Sequence, residues 1–169
     1  MNRVFILVPI LLCFFATGSP AQRMDMKKHL GFDFSYTIDE VIDYYTSLGS
    51  AVVRDYRDSC DTERAECLIR FVALTGTPNF LNAPTRYLQL GSYRNALTHV
   101  AVVVEPGTNA ERVESRLARS AIEIDLHDGG DAIPFLQWTY NDCRVRRYEV
   151  LLDGDTALYN KYDILQPDR

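Results

Sequence analysis

The stretch His99-Val-Ala-Val-Val-Val104, which Pro106 and Gly107 stop, carries the clearest strand signal of the chain. An apolar run of this length without alternation is typical of a strand that is buried on both faces. Further strand patterns precede it at 51–56, 66–73 and 87–90 and follow it at 120–126, 133–140 and 143–152. Ten tyrosines and eight phenylalanines also favour strands by propensity. The sequence therefore predicts a mainly β protein.

One helix is predicted near the start of this β region. Thr37-Ile-Asp-Glu40 matches a capping box, in which the threonine hydroxyl and the glutamate carboxylate satisfy the first backbone amides. Apolar residues follow at helical spacing, and Gly49 supplies a left-handed stop. The segment 109–120 fits a second short helix or a surface crossover, and 155–162 fits a short helix or a final strand.

The N-terminus has the composition of an export signal. Arg3 supplies a positive charge, Val4 to Ala16 is apolar except for Pro9, and small residues end at Ala21. We expect residues 1–21 to be a cleaved signal peptide, 22–36 to be an N-terminal arm and 37–169 to be one globular domain. We expect a protein of the periplasm or one secreted by a Gram-negative bacterium, without a stable membrane anchor after cleavage.

Charge and length limit the partners and the number of domains. About 150 residues after the signal are enough for one hydrophobic core. The chain has 18 lysines and arginines against 23 aspartates and glutamates, a net charge of −5. Nucleic acid and anionic lipid are held by clustered basic residues, so we expect neither as the main partner. A protein partner in the envelope or the host fits better, and no motif calls for a cofactor.

Three cysteines remain after the signal, and two of them should pair in an oxidising compartment. Cys60 and Cys67 are seven residues apart, a spacing that suits two arms of a short turn. We favour this local disulfide, which leaves Cys143 as a buried or reactive free thiol. A bridge from Cys60 or Cys67 to Cys143 is the alternative.

The order of these landmarks resembles the invasion-associated locus B family, small exported proteins of alphaproteobacteria. The matching segments are Val52 to Cys60, Cys67-Leu-Ile69, Val100 to Val104, Ile122 to Gly130, Ile133 to Trp138 and Asn141 to Arg144. Trp138 stands where the family has the first cysteine of a second pair, which leaves Cys143 without that partner. The resemblance implies a β-sandwich-like fold and a role in host-cell invasion or envelope stress, and it implies no catalytic residues.

Two groups of residues are candidates for binding. Asp125, His127, Asp128 and Asp131 could supply ligands to a cation, although Asp and Gly here also suit a solvated hairpin turn, which we favour over a metal site. Arg144 and Arg146 would project from one face of a strand as a clamp for a carboxylate or another anion, or form a charged outer face. Trp138 would line a partner surface or fill the core.

These residues favour a protein that acts by binding instead of by catalysis. The first alternative is an inhibitor or immunity-type module, which would present a rigid exposed loop, either the arginine-rich segment near 112–119 or Thr75 to Pro84. The second is a small secreted hydrolase, which would need a concave pocket with His99 near Cys143, because a thiolate nucleophile is activated by an imidazole.

Overall fold

Eight antiparallel strands form one sheet in this computed structural model, which describes residues 23–61, 66–104, 108–127, 133–152, 154 and 156–166. The expected signal peptide therefore lies outside the described residues. The strands are β1 (Ala51–Asp61), β2 (Glu66–Thr75), β3 (Thr85–Tyr93), β4 (Ala96–Val104), β5 (Glu123–His127), β6 (Phe135–Thr139), β7 (Arg144–Leu151) and β8 (Leu158–Leu165). The helices are α1 (Met26–Leu30), α2 (Ile38–Ser47) and α3 (Thr108–Ala118). The mainly β single domain with an N-terminal helix and a further short helix is confirmed.

The strand order shows an internal repeat that the sequence does not reveal. The order across the sheet is β1-β2-β3-β4-β8-β7-β6-β5. Each half is a helix followed by a four-stranded meander, α2 with β1 to β4 and α3 with β5 to β8. The last strands of the two meanders, β4 and β8, pair antiparallel at the centre of the sheet. The two halves are therefore related by a pseudo-twofold axis that passes between β4 and β8.

Helices cover one face of the sheet and take the place that a second sheet has in a β-sandwich. On this face a row of buried side chains crosses six neighbouring strands in register: Val72, Leu90, Val100, Ile164, Val145 and Trp138. The helices add Ile38, Val41 and Tyr45 of α2 and Val113 and Leu117 of α3 to the same core. Burial of this apolar area is the main source of the stability of the fold.

Local signals explain α2 and its position. Thr37 accepts a hydrogen bond from the Glu40 amide at 3.3 Å, and the Glu40 carboxylate accepts one from the Thr37 amide at 2.8 Å, so the predicted capping box is confirmed. The Tyr45 hydroxyl donates to the Leu30 carbonyl at 2.7 Å and ties α2 to α1. The segment expected to be an N-terminal arm thus contains a short helix that is anchored to the core.

The apolar run from His99 to Val104 lies in β4, and the prediction that both of its faces are buried is confirmed. Every residue from Val100 to Val104 is fully buried. Val100, Val102 and Val104 belong to the core beneath the helices, whereas Ala101 and Val103 lie on the other face between neighbouring strands.

None of the helices in the described part of the chain is long and apolar enough to cross a bilayer.

Candidate binding face

The sheet face opposite the helices, here called the open face, carries polar and aromatic side chains in register rows. Its central row runs Arg54, Ala73, Gln89, Ala101, Asp163, Arg146, Gln137 and Asp125. A neighbouring row runs Tyr56, Phe71, Gly91, His99, Leu165, Arg144, Thr139 and Glu123. Because side chains alternate between the faces of a strand, residues far apart in sequence are assembled here.

Asp163 is the centre of a polar cluster on this face. Its side chain is buried, and its Oδ2 atom accepts a hydrogen bond from the Tyr148 hydroxyl. Lys161 Nζ lies 3.2 Å from the Oδ1 atom and His99 Nε2 lies 3.5 Å from it. A buried carboxylate is costly unless it is paired and hydrogen-bonded. The lysine and the tyrosine therefore hold the Asp163 charge in place.

Burial sets the protonation of the two residues beside Asp163. Burial lowers the pKa of His99, and the charge of Asp163 partly opposes this effect. His99 is therefore mostly neutral near neutral pH. Burial and the hydrogen bond to Asp163 raise the pKa of Tyr148, so its hydroxyl stays protonated and remains a donor. The cluster thus combines one fixed cation, Lys161, with a neutral imidazole.

A groove of about 210 Å³ lies beside the cluster and crosses β1, β2, β3, β4 and β8. Its polar lining comes from Arg54, Gln89, His99 and Lys161, and its apolar lining includes Phe71. Arg54 is exposed and makes no ion pair with any residue that the structure describes. The groove therefore offers one free guanidinium beside a half-exposed aromatic ring.

Gly91 leaves room for the Phe71 ring to pack over β3. A Cβ atom added at Gly91 would lie 3.0 Å from Phe71 Cε1 and 3.1 Å from the His99 Cβ atom. Only glycine leaves room for this packing, so the Phe71 ring lies over Gly91 on β3. The absence of a side chain at Gly91 thus helps to set the position of the Phe71 ring, which lines the groove.

Three aromatic side chains at the β1–β3 end of the open face form what we call the aromatic patch. Tyr56, Phe71 and Tyr93 are 53%, 49% and 48% exposed. The Arg94 guanidinium lies 5.5 Å from the centre of the Tyr93 ring. Exposed aromatic and arginine side chains in one patch are typical of the residues that dominate protein–protein binding energy.

Comparison with protein-family models, curated proteins and solved structures found no match to this chain.

The predicted Arg144 and Arg146 clamp lies on the open face, and its side chains already have partners. Arg146 Nε donates to Gln137 Oε1 at 2.8 Å, and its guanidinium lies 4.9 Å from the centre of the Phe135 ring. Arg144 also has an interaction partner. Trp138 lies on the helix-covered face, where it is buried against Tyr162 and fills the core. It offers no surface to a partner.

The three cysteines occupy two distant parts of the sheet. Cys60 and Cys67 lie directly opposite each other in the β1–β2 register. Cys143 precedes β7, which is four strands away from β2, or about 19 Å along the sheet. A disulfide between Cys143 and either of the other two is therefore out of reach.

Cys143 and His99 do not meet in a catalytic arrangement. The Cys143 thiol is free and buried in the core beneath the helices, and burial together with the Asp142 charge raises its pKa to about 12. His99 lies on the open face. The protein separates the thiol from the imidazole by the thickness of the sheet, so the geometry gives no support to a cysteine hydrolase.

The candidate cation ligands are only partly within the described residues. Asp125 and His127 share a face of β5, and the His127 ring stacks on Phe135 with 4.4 Å between ring centres. Asp128 and Asp131 lie outside the described residues. No group of three or more histidine, cysteine, aspartate or glutamate side chains in the described part of the chain could hold a metal ion.

Sequence reasoning missed most of the open-face cluster. Lys161 and Asp163 are two residues apart on β8 and therefore share the open face. Because 155–162 fitted a short helix as well as a strand, the sequence did not predict this shared face. Arg54 and Tyr56 alternate on β1 in the same way. The period-two spacing of polar and aromatic residues along β1 and β8 is the sequence pattern from which these open-face residues could have been predicted.

Proposed function

We propose that this chain is an exported, non-catalytic binding protein that docks a protein partner on the open face. The observation that carries the proposal is the aromatic patch beside the groove that Arg54 and Lys161 line. No helix or strand in the described ranges packs over this face. Binding sites of this composition use aromatic rings for buried area and arginine for directed polar contacts.

The chemistry of the groove favours an acidic segment of the partner. Arg54 has no carboxylate partner in the described part of the chain, and a guanidinium binds a carboxylate through two parallel hydrogen bonds. Lys161 adds a second cation, although Asp163 compensates part of its charge. The Phe71 ring provides a flat apolar surface next to both. A glutamate, an aspartate or a chain-terminal carboxylate beside an aromatic residue fits this arrangement.

Export and the envelope role belong to the same proposal. The composition of residues 1–21 and the layout of the cysteines support a protein similar to the invasion-associated locus B family, in the periplasm or outside a Gram-negative cell. A role in host-cell invasion or envelope stress would place the binding face toward a host or envelope protein.

Amide chemical shifts during peptide titration test this function. The probe is the acidic peptide acetyl-Phe-Asp-Glu-Phe-amide, and acetyl-Phe-Lys-Lys-Phe-amide is its charge-reversed control. We expect saturable shifts at Arg54, Phe71 and His99 with the acidic peptide only. Arg54→Gln should weaken this binding by about tenfold or more, whereas Arg112→Gln, on an exposed site of α3, should leave it unchanged. Equal binding of both peptides, or shifts confined to the helices, would overturn the proposal.

A second candidate function, inhibition of an enzyme, is favoured by the geometry of loop 76–84. Phe80 and Ala83 exchange two backbone hydrogen bonds of 3.0 and 2.8 Å, and both side chains are buried. Thr85 Oγ1 donates to the Pro78 carbonyl at 3.0 Å and holds the start of the loop. The loop is thus pinned while Pro78, Asn79 and Asn82 stay exposed. Inhibition assays against a panel of proteases and muramidases test it, and an Asn79→Ala variant should lose any inhibition found.

A further inference from the structure

A second cavity, here called the α1–α3 pocket, lies on the helix-covered side of the protein, where α1 meets the C-terminal end of α3. Its volume is about 230 Å³. The lining residues that carry charge or titrate near neutral pH are Arg23, Asp25, Lys28, His29 and Arg116. Leu81, Leu117 and Tyr140 form its buried floor, and Ser120 adds a hydroxyl at the rim.

The walls of this pocket are held in place by contacts on both sides. Met24 and Met26 are buried, and the Met24 amide donates to Asp142 Oδ1 at 3.1 Å, which anchors the chain around Arg23 and Asp25. On the opposite wall the Tyr140 hydroxyl donates to the Leu117 carbonyl at 2.8 Å and fixes the end of α3. The positions from which the charged side chains project are therefore set by the core.

The pocket concentrates positive charge in an acidic protein. Arg23, Lys28 and Arg116 make no ion pair with any residue in the described ranges. Asp25, which accepts a hydrogen bond from the Lys28 amide at 3.0 Å, is the one acidic residue of the lining. Burial lowers the pKa of His29, and the charges of Lys28 and Arg116 lower it further, so this imidazole is mostly neutral at neutral pH. Three cations against one carboxylate give the lining an excess of positive charge, which the Asp142 carboxylate beside Met24 and Tyr140 offsets in part.

We propose that the α1–α3 pocket binds a small dianion, either a phosphate monoester or a dicarboxylate. The excess of basic groups in the lining favours an anionic ligand. The guanidinium groups of Arg23 and Arg116 suit phosphate and carboxylate oxygens, and Lys28 supplies a point charge. The volume equals that of about eight water molecules, which is room for the anionic group and a small organic remainder. This site lies on the other side of the sheet from the open face and does not depend on it.

Titration of the protein with sodium phosphate and, separately, sodium succinate tests the site. Sodium chloride keeps the ionic strength constant, and amide shifts of Lys28, Arg116 and Ser120 report binding. We expect saturable shifts below about 50 mM with at least one dianion, and Arg116→Gln should weaken this binding by about tenfold. Arg112→Gln, on the same helix but outside the pocket, is the matched control and should bind as the wild type does.

The two arms distinguish the ligand classes. Saturation by phosphate alone supports a phosphate monoester, saturation by succinate alone supports a dicarboxylate, and saturation by both supports a dianion site that accepts either. Absence of saturable shifts with both anions would overturn the proposal. An equal loss of affinity in Arg112→Gln and Arg116→Gln would overturn it as well, because it would show only a general effect of surface charge.

Discussion

Cys60 of β1 lies directly opposite Cys67 of β2 in the antiparallel register. Directly opposed residues of antiparallel strands have Cα atoms about 4.5 to 5.5 Å apart, which is within the range of a disulfide. The strand pairing thus places the Cα atoms of the two cysteines at a separation that a disulfide can span. A disulfide here would join the C-terminal end of β1 to the N-terminal end of β2.

We predict that the oxidised chain, produced from Gln22 onward, contains one free thiol. Thiol titration in denaturant and peptide mapping should assign it to Cys143 and find the bridge between Cys60 and Cys67. Replacing both with serine should lower the free energy of unfolding by about 2 to 3 kcal/mol, because the short loop is no longer closed in the unfolded state. Cys143→Ala should keep the bridge. Three free thiols in the oxidised protein would contradict this prediction.

Gly91→Ala should destabilise the protein by about 1 to 3 kcal/mol, because the new Cβ atom would overlap the Phe71 ring and the His99 side chain. Urea denaturation measures the change. In a Phe71→Ala background the same substitution should cost less by about 0.5 kcal/mol or more, since the ring is gone. An equal cost in both backgrounds would mean that Phe71 does not pack on Gly91.

Tyr148→Phe should lower the free energy of unfolding by about 1 to 3 kcal/mol, because the buried Asp163 carboxylate loses a hydrogen-bond donor. Tyr56→Phe removes a hydroxyl from an exposed ring of the same face and should change stability by less than about 0.5 kcal/mol. If the two variants were equally stable in urea, the hydroxyl of Tyr148 would not support Asp163.

Asp55 should contribute stability that is lost in acid. Hydrogen bonds from Arg70, whose Nε and Nη2 atoms lie 2.9 Å from its carboxylate oxygens, lower the pKa of Asp55 from 3.8 to about 2. A carboxylate with a lowered pKa stabilises the fold above its unfolded value and loses this effect as pH falls. Because the pair is partly exposed, we expect a loss of about 1 kcal/mol between pH 3.8 and 2.

Urea denaturation across this pH range separates Asp55 from the other carboxylates. Asp55→Asn should remove this part of the pH dependence, whereas Asp43→Asn, on the exposed side of α2, should retain it. A wild-type profile that matched the Asp55→Asn profile would rule out the contribution.

The elements that could be predicted are those with complete local signals. The Thr37 and Glu40 side chains cap α2 by themselves, and the apolar run of β4 needs no partner to be recognised. Helix α3 was ambiguous, because Val113 and Leu117 are buried only once the sheet beneath them exists. The central position of β8 could not be predicted, since no local pattern states which strand pairs with β4.

The candidate site was largely hidden for the same reason. His99, Tyr148 and Asp163 come from three strands and meet only through the registers of β4, β7 and β8. Arg54 reaches the groove from β1. Trp138 and Cys143 are unusual residue types, but both side chains are buried on the helix-covered side, Trp138 from β6 and Cys143 from just before β7. Residue type alone did not predict which face of the sheet a side chain would occupy.

The pairing of β4 with β8 has a consequence for the folding rate. Partners in this ladder are 56 to 66 residues apart in sequence, whereas each meander pairs strands that are close in the chain. The entropy of closing the long loop must be lost before this ladder forms, so we expect the ladder to form in the rate-limiting transition state, before the outer strands β1 and β2 pack beside it. Val102→Ala in β4 should mainly slow folding, and Val72→Ala in β2, an equally buried match, should mainly speed unfolding. Stopped-flow measurements in urea distinguish the two, and the reverse pattern would mean that a meander forms the nucleus.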